Sequence, residues 1–428
     1  MERTYIKDVA PGNCRISGFV ENFRNKRTMA FIVVKDITGK LQVTVEKEKH
    51  PEMLEMLDKL TIHSVVTFEG EVVLSEYVKL GGKEMYPTSM KVESIADALP
   101  IKDDSDIDVK MDYRWIDLRR DKNHLMLKMQ TALTAAMREF LVEKNFVEIH
   151  TPKLIGAASE SGSDVFEVKY FDTNAYLAQS PQFYKQMAMA AGLERIFETG
   201  PVFRAEKSYT NKHATEFTGF DLEFSYINSF EDVMKMEEEL LAYALKRVAE
   251  QYGDEIKAQY GLEVIVPTLP FPRMKLRDVY DELEARYGYT VPEELKGDLT
   301  TEAERMTKKL CEDKFGHEFL FITDYDAKER AFYHMRDENG VPQGYDLIWR
   351  GVEITTGAQR EHRYDVLRAQ AEEKGLANDV KFYLEFFKYG CPPHGGFGIG
   401  IDRLTMLFLG LSIKEAEFLF RGPNRLTP

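Results

Sequence analysis

The sequence predicts an α+β protein in which a small all-β domain precedes a larger domain of helices and strands. Three observations support this prediction. Residues 1–98 contain short runs of alternating apolar and polar residues. Residues 124–145 place apolar side chains at helical spacing, and residues 203–223 lie between two alternating runs that predict strands joined by a long hairpin loop. A chain of 428 residues is also too long for one small core, so two or three domains are expected.

The composition is typical of a globular protein, because 43% of the residues are hydrophobic and 30% are charged. The sequence has no apolar run of membrane-spanning length, and its N-terminal segment lacks the apolar stretch of a signal peptide, so a cytoplasmic protein is expected. The net charge of −15 argues against non-specific coating of nucleic acid, although not against one local basic patch. Three widely spaced cysteines without a CxxC pair indicate neither a zinc site nor a disulfide framework.

The first domain, residues 1–98, is predicted to be a small closed β-barrel. Its strands are expected in the five runs RISGFVENFR, MAFIVVKDITG, KLQVTVEKE, SVVTFEGEVVLS and EMYPTSMKVESI. This spacing favours an OB-fold, one face of which binds single-stranded nucleic acid through aromatic and polar side chains. Phe31 and Gln42, on consecutive strands, are candidates for that face. Burial of Phe31 in the core is at least as compatible with this segment alone.

Residues 99–125 are charged and predict a hinge that ends in a short helix, and residues 126–428 form the second domain. After the helix at 124–145, the run FVEIHTPKL predicts a strand that ends near Pro152. The following run, IGAASESGSDVFEV, predicts a mobile loop in which Glu160 could close over a ligand as part of a lid. An ordinary connection is the alternative.

A helix is predicted to begin at Ser180, with Ser as N-cap and Pro181 in the first helical position. Gln182 and Lys185 are three residues apart and share a face of this helix. A Lys near a helix N-terminus opposes the helix dipole, which suggests that it faces an anion. An exposed Lys is the alternative.

Residues 203–223 place charged side chains on the two strands around the predicted hairpin loop. Arg204 suits a phosphate oxygen because its guanidinium is planar and permanently charged, and Phe217 offers a face on which a base could stack. An Arg beside a Glu inside a protein requires partners or a ligand. A salt-bridged, exposed hairpin is equally compatible with this stretch.

The final quarter of the chain contains a pair of carboxylates and a glycine-rich strand. Asp346 and Glu353 can converge only if the chain bulges or turns between them, near Gly351, and beside Thr356 they would suit Mg²⁺ on phosphates. The run PPHGGFGIGIDRLTMLFLG predicts a strand that leads into a helix near Arg403, where glycines allow close approach of an anion. Further helices are predicted at residues 229–252, 276–287, 301–315 and 361–375.

These motifs together resemble those of the class II aminoacyl-tRNA synthetases, and within them the aspartyl-tRNA synthetases of the archaeal and eukaryotic type. FVEIHTPKL is similar to motif 1, FRAE followed by HATEFTGFDLE to motif 2, and GFGIGIDRL to motif 3. QSPQFYKQ and GAQREH are similar to the aspartate-specific signatures, and the resemblance extends along essentially the whole chain. It implies an OB-fold that reads the anticodon, a six-stranded antiparallel catalytic sheet flanked by helices, and a homodimer formed through motif 1.

The resemblance also implies which residues bind ATP and Mg²⁺. Arg204 would stabilise charge at the transferring phosphorus, and Phe217 and Arg403 would sandwich the adenine. The ATP-binding set is Arg204, Glu206, Lys212, His213, Ala214, Phe217, Glu353, Gly400, Ile401, Asp402 and Arg403, of which Arg204, Glu353 and Arg403 are expected to be catalytic. Asp346, Glu353 and Thr356 would hold Mg²⁺, with Thr356 where the family more often has Ser.

For the amino acid, the resemblance implies that Lys185 and Arg360 hold the side-chain carboxylate of aspartate. The complete implied set is Glu160, Gln182, Lys185, Arg204, Asp221, Thr356 and Arg360. Asparagine would leave buried positive charge unpaired. The related asparaginyl enzymes lack the Lys at position 185 and usually carry Glu where this chain has Asp221, so aspartate is the expected substrate.

The implied reaction is activation of L-aspartate by ATP, followed by transfer to the 3′ end of tRNA(Asp), and also of tRNA(Asn) if the enzyme is nondiscriminating. Phe31 would stack on an anticodon base and Gln42 would hydrogen-bond one. Discriminating archaeal enzymes have Trp where this chain has Glu21, so charging of both tRNAs is left open.

Three other functions remain as alternatives. They are an asparaginyl-tRNA synthetase, a synthetase-like asparagine synthetase that uses ammonia, and a non-catalytic nucleic-acid-binding protein. The barrel residues Phe31 and Gln42 argue against the second, and retention of Arg204, Glu353 and Arg403 argues against the third.

Overall fold

A computed structural model describes residues 1–156, 165–208, 210 and 212–428 of the chain. The chain divides into two compact units, Met1–Ile116 and Asp117–Pro428. The predicted lid residues, including Glu160, lie outside the described residues.

The first unit is a closed barrel of five strands. Its elements are β1 (Gly12–Asn25), β2 (Met29–Lys35), β3 (Lys40–Glu46), α1 (Leu54–Lys59), β4 (Val65–Leu74), β5 (Lys83–Ser94) and α2 (Ile107–Asp112), followed along the chain by α3 (Arg114–Asp117). The strand order is β1-β2-β3-β5-β4, and β4 pairs with β1 to close the barrel. Alternate side chains of each strand fill the interior, as Ala30, Ile32 and Val34 of β2 do. The predicted OB-fold barrel is thus confirmed.

The second unit is a large mixed sheet with helices. Its first elements are α4 (Asp121–Glu143), β6 (Val147–Glu148), β7 (Leu154–Ile155), β8 (Glu167–Tyr170), β9 (Thr173–Leu177), α5 (Gln182–Ala190), β10 (Arg195–Phe203), β11 (Glu216–Ser225), α6 (Phe230–Tyr260), β12 (Arg273–Lys275) and α7 (Leu276–Tyr287). The remainder are α8 (Thr301–Phe315), β13 (Phe319–Thr323), β14 (Gly344–Trp349), β15 (Val352–Arg360), α9 (Tyr364–Glu373), α10 (Lys381–Phe387), β16 (His394–Gly400), α11 (Ile401–Leu409) and α12 (Ile413–Ala416).

The main sheet has eight strands in the order β12-β13-β14-β15-β16-β11-β10-β6. The six central strands pair antiparallel, as expected, whereas the edge strands β12 and β6 are parallel to their neighbours. Strands β7, β9 and β8 form a separate small sheet. The α+β fold with an antiparallel sheet and helices is confirmed.

Helices α4 and α6 pack over one face of the main sheet and form its largest core. Phe220 and Leu222 of β11 point into this core, together with Phe397 of β16. Since successive side chains of a strand point to opposite faces, Phe217, Gly219 and Asp221 lie on the other face. This alternation separates the core from the cavity described below.

Several local predictions need correction. FVEIHTPKL, expected as a strand ending near Pro152, forms only the short strand β6, and its last residue begins β7 on the far side of Pro152, which has no N–H to donate to a ladder. Helix α5 has Pro181, not Ser180, as its N-cap, although the Ser180 hydroxyl accepts a hydrogen bond from the Gln182 N–H at 3.3 Å. The helix predicted at 361–375 begins only at Tyr364.

Other local predictions hold. Helices α7 and α8 span the predicted residues. Helix α6 starts where expected, with a capping box between Ser229 and Asp232, and continues to Gly261 in the left-handed conformation. Among the described residues, no helix is both long and apolar enough to cross a membrane.

Candidate active site and barrel face

A cavity of about 400 Å³ opens on the face of the main sheet opposite α4 and α6. Its walls come from α5, β11, β15, β16 and α11. Most of the residues expected to bind aspartate or ATP line it, namely Gln182, Lys185, Arg204, Glu206, Lys212, His213, Ala214, Phe217, Asp221, Glu353, Thr356, Arg360, Gly400, Asp402 and Arg403. The chain thus brings together residues that are more than 200 positions apart.

One end of the cavity contains a buried lysine. Lys185, on the first turn of α5, is 1% exposed. Its Nζ donates to Asp221 Oδ1 at 2.8 Å and to the Phe397 carbonyl at 3.3 Å, and Glu223 Oε2 lies 3.5 Å away. Lys185 is therefore not an exposed surface lysine, and its opposition to the helix dipole is offset by two carboxylates.

The same end of the cavity contains Arg360, at the end of β15. Its Nε donates to Glu223 Oε1 at 2.9 Å, and its Nη2 donates to the Gly396 carbonyl at 2.9 Å and to Gln182 Oε1 at 3.2 Å. The guanidinium also lies over the Tyr333 ring, with 5.5 Å to the centroid. These contacts hold a buried cation in one orientation beside Lys185.

Glu223 is the shared counter-ion of these two cations. It is fully buried, and burial by itself would raise the pKa of its carboxyl group, but Arg360 and Lys185 outweigh burial and lower the pKa. Glu223 lies two residues after Asp221 on β11, so both carboxylates lie on the same face of the strand. Glu223 was not among the predicted site residues.

The hairpin formed by β10 and β11 places Arg204 and Phe217 together. The Arg204 guanidinium lies 5.6 Å from the centroid of the Phe217 ring, and its Nη1 lies 3.8 Å from Glu206 Oε1. The predicted strand pair and its charged contact are both present, and they line the cavity instead of forming an isolated surface hairpin. The side chain of Arg204 remains 42% exposed, which leaves its donors accessible.

Arg403 and the hairpin loop residues border the same part of the cavity. Arg403 Nη1 donates to the Glu353 carbonyl at 2.9 Å. Lys212 Nζ pairs with Glu304 of α8 at 2.8 Å, and the Glu353 N–H donates to the same carboxylate. Burial and the Arg403 charge both lower the pKa of His213. Glu304 was not among the predicted site residues.

The two expected metal carboxylates meet across the β14–β15 hairpin. The turn is at Arg350 and Gly351, both with positive φ, and Asp346 stands opposite Thr356 in the register. The Thr356 hydroxyl lies 2.8 Å from Asp346 Oδ1 and 3.3 Å from Glu353 Oε1. The predicted turn near Gly351 is thus present and brings the carboxylates into reach of each other.

A cation already lies against this carboxylate pair. Arg330 donates through Nη1 and Nη2 to the two oxygens of Asp346, at 2.8 and 2.6 Å. Burial, followed by the Asp346 charge, raises the pKa of Glu353. Within the described part of the chain, no group of three or more His, Cys, Asp or Glu side chains gathers in a metal-binding arrangement.

Two of the expected ATP-binding residues, Ile401 and Asp402, make contacts that hold the fold together. Ile401 is 1% exposed and belongs to the main core. Asp402 accepts hydrogen bonds from the Thr218 N–H at 2.7 Å and from Gln130 Nε2 at 3.1 Å, so it connects β11, α4 and α11.

On the barrel, Phe31 and Gln42 lie on the outer face of β2 and β3. Phe31 is half-buried between inward-pointing neighbours, and the Arg24 guanidinium lies 5.3 Å from its ring centroid. Gln42 Nε2 donates to Glu84 Oε2 at 3.2 Å. The alternative of a core position for Phe31 is wrong, because the core is filled by the residues on either side of it.

Comparison with known proteins covers both units. The family profile described as tRNA synthetases class II (D, K and N) matches residues 106–420, and that of the OB-fold nucleic acid binding domain matches residues 14–95. The Aspartate--tRNA(Asp/Asn) ligase of Methanopyrus kandleri is 42% identical over 100% of both chains. The Aspartate--tRNA(Asp) ligase of Pyrococcus abyssi is 38% identical over 97% of this chain and 96% of its own.

Solved structures with the same fold include enzymes for two different amino acids. Asparaginyl-tRNA synthetase from Pyrococcus horikoshii, complexed with asparaginyl-adenylate, superposes with a TM-score of 0.91 at 33% identity over 100% of both chains. Aspartyl-tRNA synthetase from Entamoeba histolytica superposes with a TM-score of 0.87 at 30% identity, over 100% of this chain and 93% of that one.

Proposed function

This chain belongs to the class II tRNA synthetases of the aspartate, lysine and asparagine group, and we propose that it is an aspartate–tRNA ligase. It activates L-aspartate with ATP and transfers the aspartyl group to tRNA. The observation that carries this proposal is the buried pair of cations, Lys185 and Arg360, at one end of the cavity. The names of its relatives agree with it.

The charges at this end of the cavity suit aspartate better than asparagine. Lys185, Arg360 and Asp221 line the cavity, whereas Glu223 lies beneath them outside its walls. Lys185 and Arg360 therefore present cationic N–H donors to the ligand, and these complement the side-chain carboxylate of aspartate. The side chain of asparagine is a neutral amide, and its NH2 group would face a cationic donor where aspartate offers a second carboxylate oxygen.

In the first step, the α-carboxylate of aspartate attacks the α-phosphorus of ATP to give aspartyl-adenylate and pyrophosphate. Arg204 binds the α-phosphate and stabilises the charge that develops on it. Phe217 and Arg403 hold the adenine, since an aromatic face and a guanidinium can sandwich a base. Arg204 and Phe217 already lie 5.6 Å apart, and Arg403 lines the same cavity.

The carboxylates of Asp346 and Glu353, with the hydroxyl of Thr356, fit a magnesium ion. Burial and mutual repulsion raise the pKa of Glu353, a condition that a divalent cation would relieve. When bound, Mg²⁺ would neutralise phosphate charge. Arg330 donates hydrogen bonds to both oxygens of Asp346. A metal ion could bind Asp346 only if this arginine moved away or if one oxygen bound both the arginine and the metal.

In the second step, a hydroxyl of the terminal ribose of tRNA attacks the activated carbonyl, and AMP leaves. This mechanism needs no nucleophilic side chain, because positioning and electrostatic stabilisation suffice. Gln182 and Asp221, with Glu160 in the proposed lid, surround the aspartate ammonium. Lys212 and His213 lie at the outer phosphates.

In the first unit, Phe31 stacks on an anticodon base and Gln42 hydrogen-bonds one. Glu21 pairs with Lys40 at a bulge in β1, where a discriminating enzyme would have Trp. Relatives include both Asp/Asn and Asp-only ligases, so charging of tRNA(Asn) as well as tRNA(Asp) is part of the proposal. We expect a homodimer formed through the motif 1 segment FVEIHTPKL, in the cytoplasm, where tRNA is charged.

The asparaginyl alternative is favoured by one observation, the high TM-score of the Pyrococcus asparaginyl enzyme. Lys185 argues against it, because two cations match a carboxylate and the resemblance implies no Lys at this position in the asparaginyl enzymes. Two further alternatives, an ammonia-dependent asparagine synthetase and a non-catalytic protein, are distinguished from the proposed function by the assays below.

Side-by-side charging tests the proposal. ATP-dependent charging with labelled aspartate and with asparagine is measured on tRNA(Asp) and tRNA(Asn) transcripts. We expect aspartate on tRNA(Asp), and comparable charging of tRNA(Asn) if the enzyme is nondiscriminating. Charging with asparagine, or ammonia-dependent formation of asparagine, would establish one of the alternatives, and no pyrophosphate release with any amino acid would establish a non-catalytic protein.

A further inference from the structure

A chain of buried hydrogen bonds leads from Arg360 to side chains that the proposed function does not use. Arg360 Nη2 lies 3.2 Å from Gln182 Oε1, Gln182 Nε2 lies 2.9 Å from Gln186 Oε1, and Gln186 Nε2 lies 3.0 Å from His394 Nε2. Each of the four side chains is exposed by 5% or less. We call the chain from Gln182 through Gln186 to His394 the Gln182–His394 relay.

The end of the relay fixes its polarity. His394 Nδ1 lies 2.8 Å from the Pro392 carbonyl, which can only accept, so Nδ1 carries the proton. Burial lowers the pKa of His394 to about 4, so the ring is neutral at pH 7 and its Nε2 is an acceptor. Gln186 must then turn its amide nitrogen toward His394 and its carbonyl oxygen toward Gln182.

The polarity passes along the relay in one direction. Because Gln186 offers its oxygen, Gln182 turns its nitrogen to Gln186 and its own oxygen to Arg360. The opposite orientation of either amide would place donor against donor in a region without solvent. Tyr383 donates to the same Gln186 oxygen at 2.9 Å, and this bond supports the orientation without determining it.

The N–H groups of Arg360 that remain for a ligand are those not used by Glu223, Gly396 and the relay residue Gln182. Nε is used by Glu223, and Nη2 is used by Gln182 and Gly396. Among the described residues, none accepts a hydrogen bond from Nη1. The two Nη1 donors are therefore left for a ligand in the cavity that Arg360 lines.

We propose that Gln186 and His394 are positioning residues for amino acid specificity, because they hold the Gln182 carbonyl toward Arg360 and so present Nη1 to the side-chain carboxylate of the substrate. The inference rests on the proposed function, since it takes aspartate as the ligand. With the relay broken, the Gln182 amide is free to turn, and Arg360 loses one of the three acceptors that hold its orientation, the other two being Glu223 and the Gly396 carbonyl.

The first test measures KM for aspartate and for ATP separately, by pyrophosphate exchange. Gln186→Leu is expected to raise KM for aspartate by about tenfold to a hundredfold, because it removes the bond that orients Gln182, whose carbonyl accepts from the charged guanidinium of Arg360. KM for ATP should stay unchanged, and the preference for aspartate over asparagine should fall. Gln186→Met serves if the leucine variant does not fold.

Two matched variants separate positioning from packing. Tyr383→Phe removes a buried hydrogen bond to the same Gln186 oxygen but leaves the relay polarity intact, so KM for aspartate should change less than threefold. His394→Gln retains an acceptor for Gln186 and should keep most of the affinity. Equal effects of Gln186→Leu and Tyr383→Phe on KM for aspartate would overturn the proposal.

The second test observes the relay without any assay of activity. In the full chain labelled with ¹⁵N-histidine, His394 is expected as the Nδ1–H tautomer at pH 7, with its signal identified by loss in His394→Gln. A proton on Nε2 would overturn the relay itself. If the expected tautomer is found but the wild-type protein does not activate aspartate, the proposed function fails and the specificity role fails with it, whereas the hydrogen-bond polarity stands.

Discussion

Glu223 explains how two cations can stay buried next to each other without a ligand. Lys185 and Arg360 would repel one another at the end of a cavity, but each lies within 3.5 Å of a Glu223 oxygen. Removal of one partner from such a cluster leaves uncompensated buried charge, which is strongly destabilising. Glu223 therefore keeps both cations in place for the carboxylate of a substrate, and each of the three charges is stabilised by the others.

Lys185→Met should raise KM for aspartate by about a hundredfold or more and leave KM for ATP near the wild-type value, because the lysine contacts only the amino acid end of the cavity. Pyrophosphate exchange at varied aspartate and varied ATP measures both constants. Lys144→Met is the control, since Lys144 pairs with Glu239 on the surface. An unchanged KM for aspartate in Lys185→Met would show that aspartate does not bind in this pocket.

A second buried carboxylate makes stability depend on pH. Glu237 of α6 accepts a hydrogen bond from the Tyr345 hydroxyl at 2.6 Å, and burial raises the pKa of Glu237 to about 8. Since the folded state then binds more protons than the unfolded state between about pH 4.5 and pH 8, the free energy of unfolding contributed by this group falls as pH rises through that window.

Glu237→Gln should remove this dependence and stabilise the protein at pH 8 by a few kcal/mol, on the order expected from a shift of this size. Chemical denaturation at pH 5 and pH 8 measures the effect. Glu250→Gln is the control on the same helix, because Glu250 is exposed. If Glu237→Gln and wild type lose the same stability between the two pH values, then Glu237 is not the titrating group.

At the scale of elements, the cavity depends on the close approach of β16 to β11. A Cβ at Gly396 would lie 2.1 Å from the Leu222 carbonyl and 2.4 Å from Glu223 Oε2, which no real Cβ contact allows. The glycines of this strand thus permit backbone contact and leave room for the carboxylates of β11. Gly396 is needed for the close approach of the two strands and not for its backbone conformation, since it does not have a positive φ.

Gly396→Ala should destabilise the protein by roughly 1–3 kcal/mol or more, because the added methyl group must push apart two paired strands. It should also raise KM for aspartate, since Glu223 would have to move from between Lys185 and Arg360. Gly253→Ala is the matched control, because Gly253 lies in α6 with nothing within 4 Å of an added Cβ. That variant should be neutral or stabilised by up to about 1 kcal/mol. Thermal unfolding compares the two, and equal effects would contradict the close-approach argument.

At the scale of the whole molecule, the proposed chemistry and the proposed anticodon contacts belong to different compact units. The barrel has its own core, which contains none of the residues that line the catalytic cavity. Changes on the barrel face should therefore affect tRNA charging without affecting amino acid activation.

Phe31→Ala should lower kcat/KM for tRNA(Asp) by about fivefold to a hundredfold, as expected for loss of one stacked base. Pyrophosphate exchange with aspartate should stay at the wild-type rate. Phe31→Tyr keeps the ring and should keep charging. A parallel loss of exchange and charging in Phe31→Ala would mean that the substitution disturbs the fold, and unchanged charging would exclude Phe31 from anticodon binding.

The sequence alone predicted the class of fold, the barrel and the long helices, and its resemblance to a known family, carried by short motifs, implied most of the site residues found in the cavity. These features depend on local alternation, helical periodicity and short motifs, each of which lies within about 20 residues. The Gly-rich strand, the turn near Gly351 and the side-by-side placement of Gln182 and Lys185 are of this kind. For the same reason, local patterns could not decide whether Phe31 points inward or outward, because strand alternation is compatible with either register.

Only the tertiary structure decided the partners of these side chains. Arg360 meets Glu223 across 137 positions, Gln186 meets His394 across 208, and Glu304 of α8 reaches the Glu353 backbone. A charge on one strand carries no local sign of the distant group that neutralises it, and a buried charge is tolerated only where that group is present. The sequence thus determined which chemical groups the protein carries, and the folded chain determined how each is charged, oriented and held.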